Sequence, residues 1–143
     1  MTDILQRLLY PKAVAIIGAS NDPTKIGGRP IVQNRELGFS GRLFPVNPGA
    51  EEVQGLKAYP SVQAIPEELD CAIISVPAPA VPAAVEACAE KRVPLAVIFS
   101  SGFAEYSEEG RRAQERIAQV ARSSGMRLLG PNTMGALSID GAV

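Results

Sequence analysis

The sequence contains no histidine and no tryptophan, and its other aromatic and sulfur-containing side chains are few. Without histidine, the chain lacks the most common general base and the nucleophile that carries a phosphoryl group as phosphohistidine. Cys71 and Cys88 do not have the spacing of metal ligands, and two cysteines alone offer zinc little. We therefore predict no metal site and no catalytic residue in this chain. The two thiols are expected to be buried and free, in a reducing cytoplasm.

An excess of charge of one sign is absent as well, as is a long apolar run. The chain has 14 basic and 15 acidic residues, a balance that argues against a nucleic-acid partner or a polybasic membrane surface. Its apolar runs stop far short of the roughly 20 residues of a membrane span. The first nine residues include Asp3 and Arg7 and do not have the pattern of a secretory signal. We expect a cytoplasmic protein with no membrane partner, and 143 residues suit a single domain over 1–143.

What the sequence does contain is a series of apolar segments without polar alternation, which predict strands of a parallel sheet covered on both faces. The segments are 12–17, 42–46, 70–76, 95–99 and 126–129. Helical patterns precede or separate them, beginning at Thr2 or Asp3, at Ile31, at Val81 or Pro82, and after Ser107. The residues 51–54 read as solvated, and 56–59 as a short extended piece. This alternation predicts a doubly wound, Rossmann-like α/β fold with five parallel strands in the order 3-2-1-4-5 and helices on both faces.

Ligands of such sheets bind beyond the carboxyl ends of the strands, at the point where the strand order reverses. Short loops with polar or small residues follow the five segments, at 18–20, 46–48, 75–77, 100–102 and 130–132. In the first loop, Gly18 leaves the backbone bare, so that a phosphate or a sugar could approach the main chain closely. The sequence therefore predicts a ligand site at this edge.

A nicotinamide dinucleotide fits the loops poorly. Its fingerprint requires Gly-x-Gly-x-x-Gly after the first strand, whereas this chain has Gly18-Ala19-Ser20-Asn21-Asp22-Pro23. The second strand ends in Asn47-Pro48 rather than in the acidic residue that holds a ribose. No Gly-Lys-Ser or Gly-Lys-Thr of a P-loop occurs. An NAD- or NADP-binding redox domain is thus kept only as an alternative.

Taken together, the loops resemble one family. The segments that carry the resemblance are Ala15-Ile16-Ile17-Gly18-Ala19-Ser20, Lys25-Ile26-Gly27-Gly28, Gly38-Phe39-Ser40-Gly41, Pro45-Val46-Asn47-Pro48, Val76-Pro77-Ala78, Ser101-Gly102-Phe103-Ala104-Glu105 and Gly130-Pro131-Asn132. In this order, over nearly the whole chain, they are similar to the CoA-binding domain of the NDP-forming acyl-CoA synthetases, relatives of the succinyl-CoA synthetase alpha subunit.

The resemblance implies contacts to coenzyme A from all five loops and from the turn after the first. The implied residues are Gly18, Ala19, Ser20, Lys25, Val46, Asn47, Pro48, Ser75, Val76, Pro77, Ser100, Ser101, Gly102 and Asn132. Ser20 would hydrogen-bond a phosphate, and Lys25 would offset its charge. The second and third loops would border the adenosine and line the next wall, the fourth would guide the pantetheine arm, and Asn132 would lie near the thiol end.

Local explanations compete with several of these assignments. Gly18 could relieve crowding between a strand and a helix, and Lys25 could be an ordinary solvated charge. The turn at Asn47 and the residues 130–132 could serve the backbone alone. Ser75 could be a buried hydroxyl bonded to main chain.

The function that the resemblance implies is binding of CoA or acyl-CoA, as a domain of an acyl-CoA synthetase or of a related acyltransferase. In that family a histidine of a later domain carries the phosphoryl group. Because this chain has no histidine, we expect binding without catalysis, within the N-terminal domain of a longer ADP- or NDP-forming ligase. Its partners would be the other domains or subunits of that synthetase. A small stand-alone CoA-binding regulatory protein is the alternative.

Overall fold

Five parallel strands form the central sheet of the computed structural model, which describes residues 3–143. The helices α1 to α4 are Asp3–Leu9, Arg29–Glu36, Val81–Glu90 and Glu108–Ser124. The strands β1 to β7 are Ala13–Ile17, Arg42–Val46, Glu52–Val53, Leu56–Lys57, Cys71–Ile74, Leu95–Ile98 and Arg127–Leu129. Each predicted strand and helix is present. Of the two residues predicted to cap the first helix, Asp3 is its first residue, and Thr2 lies outside the described residues.

The sheet has the order β2-β1-β5-β6-β7, which confirms the predicted Rossmann-like α/β fold with five parallel strands. The predicted order 3-2-1-4-5 places the third apolar segment, 70–76, beyond β2, whereas the structure has the extended residue Tyr59 there, which bridges Val46 in parallel. Counted over the five sheet strands alone, the order is 2-1-3-4-5, because β5 pairs with β1, with Val14 opposite Cys71. The direction of the strand order therefore reverses between β1 and β5.

One face of the sheet is covered by α3 and α4. Val85 of α3 and Ile117 of α4 belong to the same buried cluster as Ala15 and Ala72 of the sheet. Alanines on the strands let these helices approach closely, while the β-branched side chains of the helices fill the space between them.

The other face is covered by α1 and α2. Ile31 of α2 packs with Ile16 of β1, and Ile4 and Leu8 of α1 pack on a separate cluster that includes Val14. Helices on both faces explain why the strands carry apolar side chains in both directions.

The longest helix, α4, begins where its sequence predicts. The Ser107 hydroxyl accepts a hydrogen bond from the Gly110 N–H at 2.9 Å, and Gly125 ends the helix with φ +76°. Its arginines form the predicted solvated face: Arg111 pairs with glutamates one turn away, and Arg116 reaches Glu86 of α3 at 2.5 Å.

Asp70 joins α1 to the start of the sheet. One carboxylate oxygen accepts the N–H groups of Lys12 and Ala13, at 2.8 and 3.2 Å, and the other accepts Arg7 at 3.0 Å. These bonds lie at the amino end of β1, opposite the edge where ligands are expected.

The connection from β2 to β5 contains a small hairpin of β3 and β4, in which Val53 pairs with Leu56. The expectation that the residues 51–54 are solvated is wrong for Val53, which is fully buried against Ile16 and Ile31. An isolated apolar residue between the polar neighbours Glu52 and Gln54 gave no periodic signal, but the hairpin turns it inward.

Both thiols are free and buried, as predicted. Burial raises the pKa of Cys71 and of Cys88 to about 12. Within residues 3–143, no helix has the length and apolar character needed to cross a membrane.

Candidate functional site

The five loops predicted to hold a ligand lie side by side at the carboxyl edge of the sheet and are joined by hydrogen bonds. The Gly18 N–H donates to the Val46 carbonyl at 3.2 Å, which joins the first loop to the second. The Ser100 hydroxyl donates to the Val76 carbonyl, and the Asn132 N–H donates to the Ser100 carbonyl at 2.9 Å. The third, fourth and fifth loops are thereby connected as well.

Gly18 joins the first loop to the third by close contact. It has φ +84°, and a Cβ atom placed on it would lie 2.8 Å from the Ser75 carbonyl oxygen and 3.0 Å from Val76. The crowding at Gly18 is therefore with the loop after β5, rather than with a helix. Because β1 and β5 flank the reversal of strand order, this contact sits where doubly wound sheets bind ligands.

In the loop from 18 to 28, several backbone groups form hydrogen bonds within the protein. Ala19 is buried, its N–H donates to Val46, and its carbonyl accepts Asn47. The Ser20 N–H donates to Gly27 at 3.2 Å. The main-chain groups at the start of this loop are therefore bonded within the protein.

Ser20 and Lys25 are the two side chains of the loop that the resemblance assigns to a phosphate. The Ser20 hydroxyl oxygen accepts the Asp22 N–H at 3.1 Å, which leaves the hydroxyl proton to be donated elsewhere. Lys25 is exposed, in a turn closed by its N–H donating to the Asp22 carbonyl at 3.2 Å. Hydrogen bonds from Thr24, followed by the charge of Lys25, lower the pKa of Asp22, so this turn also carries a carboxylate.

Asn47 holds the second loop against the first. Its amide nitrogen donates to the Ala19 carbonyl at 3.0 Å, and its amide oxygen accepts the Gly49 N–H at 2.8 Å. Asn47 thus shapes its own turn and fixes the neighbouring loop at the same time. A groove of about 620 Å³ opens beside this turn, and Asn47, Pro48, Glu51 and Lys57 are among the residues that line it.

The third loop presents a hydroxyl whose hydrogen-bonding capacity is unused. The Ser75 N–H donates to Ile17 at 2.9 Å, but the buried Ser75 hydroxyl has no partner among residues 3–143. The alternative that it bonds to main chain is therefore not seen. A buried, unpartnered hydroxyl calls for an explanation, and a ligand or a bound water is the usual one. Pro77 is exposed on the same loop.

The fourth loop is held in place by an acidic side chain. The Glu105 carboxylate accepts the N–H groups of Gly102 and Phe103, at 2.7 and 3.1 Å. These bonds, that of Gly102 foremost, lower the pKa of Glu105. Glu105 therefore shapes the loop, while Ser101 and Asn132 are exposed at its rim.

Sequence reasoning missed Gln54, which reaches the first loop from the tip of the β3–β4 hairpin. Its side-chain amide donates to the Ser20 carbonyl at 2.9 Å and to the Gly28 carbonyl at 3.0 Å. The dipeptide Gln54-Gly55 was the available signal, since a glycine in a two-residue turn marks a hairpin.

Two observations describe the acidic side chains and the cysteines. No group of three or more Cys, Asp or Glu side chains in the described part of the chain could hold a metal ion. A thiol with a pKa of about 12 is a poor nucleophile at neutral pH.

A second groove, of about 510 Å³, lies on the α1 and α2 face over Val14 and Val97, and none of the predicted site residues line it.

Comparison with known proteins identifies relatives among acetate-activating enzymes. The chain is 45% identical over 136 residues to an acetate–CoA ligase (ADP-forming) II of Archaeoglobus fulgidus, covering 95% of this chain and 20% of that protein. It is 44% identical over 137 residues to the alpha subunit of acetate–CoA ligase (ADP-forming) I of Pyrococcus furiosus, covering 93% of this chain and 30% of the subunit. The chain thus spans less than a third of these relatives.

A solved structure shows the same fold. The dinucleotide forming acetyl-coenzyme A synthetase 1 of Ca. Korarchaeum cryptofilum, in complex with phosphate and ADP, matches with a TM-score of 0.93 and 39% identity, over 99% of this chain and 30% of that one. The family model described as "CoA binding domain" matches residues 12–138, which include all five strands of the sheet and the five loops at their ends. Since the match covers most of its length, the chain belongs to the CoA-binding domain family, as a homologue of part of the ADP-forming acetyl-CoA synthetases.

Proposed function

We propose that this chain binds coenzyme A, or its acyl thioester, along the row of loops at the carboxyl edge of the sheet. The observation that supports the proposal most is the continuity of that row, from Gly18 through Ser75 to Asn132, in a member of the CoA-binding domain family. The nucleotide end would lie over the first and second loops, and the pantetheine arm would follow the fourth loop towards Asn132.

The residues at the edge suit the chemistry of this ligand. CoA carries anionic phosphates, for which Ser20 supplies a donor and Lys25 a positive charge. The groove beside Asn47 and Pro48 has a volume within the range of small-molecule sites, and Lys57 lines it. The unpartnered Ser75 hydroxyl lies in the loop after β5, on the other side of the first loop from this groove, where a ligand group could complete its hydrogen bonding.

We further propose that the chain serves as the N-terminal domain of an ADP-forming acyl-CoA synthetase and does not catalyse ligation by itself. The relatives are much longer than this chain, and the sequence has no histidine to carry a phosphoryl group. The other domains or subunits of the synthetase would then be its partners, and CoA its substrate.

Calorimetric titration of CoA into the 143-residue chain tests the binding proposal. We expect saturable heat for the wild type. Lys25→Gln should weaken binding roughly tenfold, because it removes a charged donor worth on the order of 1.5 kcal/mol. Lys12→Gln is the matched control: Lys12 is also exposed, but it lies at the amino end of β1, on the opposite edge of the sheet.

Absence of heat at millimolar CoA would contradict the proposal, and equal weakening by both lysine variants would contradict the assigned role of Lys25. A thermal-shift series with CoA, NAD and NADP separates the alternatives, because only a ligand that binds the folded chain raises Tm. At a hundredfold excess over Kd the stabilisation is about 2.7 kcal/mol, which is readily measured. A shift with NAD or NADP and none with CoA would favour a redox domain instead.

A further inference from the structure

The turn between β3 and β4 places a glutamine in an unusual backbone conformation. Gln54 has φ +49° and Gly55 has φ +79°, the left-handed pair of a type I′ hairpin turn. Asn, Asp or Gly is the usual first residue of such a turn, and a glutamine there is strained. Strained residues persist where their surroundings hold them, and they concentrate at functional sites.

Four hydrogen bonds hold Gln54, and three of them go to the loop between β1 and α2. The Gln54 N–H donates to the Asn21 side-chain oxygen at 2.7 Å. Its Nε2 donates to the Ser20 carbonyl at 2.9 Å and to the Gly28 carbonyl at 3.0 Å. The fourth bond runs from Arg35 of α2 to the Gln54 carbonyl at 2.6 Å.

The two carbonyls that share Nε2 lie at opposite ends of the exposed part of this loop. Ser20 begins it, Gly28 precedes α2, and Lys25 lies between them. One amide group therefore ties together the two ends of the segment that carries Ser20 and Lys25. The bond from the Ser20 N–H to the Gly27 carbonyl and the close approach of Gly27 to the Gly18 carbonyl also hold these ends, but both lie within the loop, whereas Gln54 holds it from the hairpin.

From this geometry we infer that Gln54 is a positioning residue for CoA: it holds the 18–28 loop in its binding conformation without touching the ligand. The inference rests on the proposed function. A loop held in place before binding loses less conformational entropy when the ligand arrives, so affinity depends on the residue that holds it. The β3–β4 hairpin therefore holds the 18–28 loop in place, in addition to burying Val53.

Substitution by glycine separates positioning from folding. Gln54→Gly deletes the side-chain amide but relieves the left-handed strain, because glycine is favoured in this turn. We expect the free energy of unfolding to stay equal or to rise, while Kd for CoA rises about tenfold through loss of two hydrogen bonds. Gln63→Ala is the matched control: Gln63 is an exposed glutamine on the same crossover, bonded at 3.2 Å to Glu90, far from the loop.

A merely structural role predicts the reverse, with unchanged Kd in Gln54→Gly, and that result would overturn the inference. If the wild type itself binds no CoA, the proposed function fails, and the order of the 18–28 loop is then measured directly by hydrogen exchange. Hydrogen exchange of the Ser20 and Gly28 amides should then be faster in Gln54→Gly than in the wild type and in Gln63→Ala. Unchanged exchange would overturn the inference independently of any ligand.

Discussion

Replacement of Gly18 by alanine tests whether the edge of the sheet is built by close contact between loops. A methyl group there would lie 2.8 Å from the Ser75 carbonyl oxygen and 3.0 Å from a Val76 methyl, so a backbone segment would have to move. The left-handed φ adds strain of about 1–2 kcal/mol. Overpacking against a fixed neighbour typically adds about 1–3 kcal/mol. We therefore expect Gly18→Ala to lower the free energy of unfolding by roughly 2–5 kcal/mol.

Gly125 provides a matched control for this substitution. It has φ +76°, close to the +84° of Gly18, but nothing lies within 4 Å of the position of its Cβ. Gly125→Ala should therefore show the strain alone, about 1–2 kcal/mol. Urea unfolding followed by circular dichroism measures both variants, since the chain has no tryptophan to report by fluorescence. Equal destabilisation of the two variants would refute the argument, because the contact with Ser75 would then contribute nothing.

Two further predictions concern the buried thiols and the hydrogen bonds of Asp70 at the amino end of β1. Because burial raises the pKa of Cys71 and Cys88 to about 12, against about 8.5 in an unfolded chain, the folded state holds more protons between these values. Stability is then unaffected at pH 7 and falls above about pH 8.5, by about 1.4 kcal/mol per pH unit for each thiol. Urea unfolding from pH 8 to 10 should show a shallower decline in Cys88→Ala, and parallel declines would contradict the assignment. Asp70→Ala should lower the free energy of unfolding by about 1–3 kcal/mol, since two backbone N–H groups lose their acceptor. Arg7→Ala should lower it by less than about 1 kcal/mol. Similar losses of stability in thermal unfolding would show that the ion pair, rather than the N–H groups, matters.

The strands and helices were predictable because their signals are local. Apolar runs such as that ending at Ile17 are required of strands buried on both faces, and Ser107 marks the start of α4 in the sequence itself. The order of the strands was only partly predictable. The pairing of Val14 with Cys71 decides which side of the sheet the third segment joins, and no periodicity within the sequence indicates that pairing.

The candidate site was likewise predictable only in part, in its location but not in the bonds that join its loops. Its location followed from a rule about parallel sheets, so the loops at Gly18, Ser75 and Ser100 could be proposed from the sequence. The bonds that join them could not, because they link residues far apart in the chain. Gln54 shows why: its partners Ser20 and Gly28 precede it by 34 and 26 residues, and nothing near Gln54 in the sequence indicates them.

The structure also changes the meaning of the glycines in the first loop. A bare backbone after β1 is usually interpreted as room for a phosphate, yet here the space is taken by the protein. A Cβ on Gly27 would lie 1.9 Å from the Gly18 carbonyl oxygen, and one on Gly28 would lie 1.9 Å from that of Asp22. The N–H groups of Gly18 and Ala19 are likewise donated within the chain. These glycines are therefore needed for the loop to close on itself, whatever it binds. In the proposed CoA complex, the side chains of Ser20 and Lys25 would then meet the phosphates on the outside of this closed loop, without the Gly-x-Gly-x-x-Gly that a dinucleotide site requires.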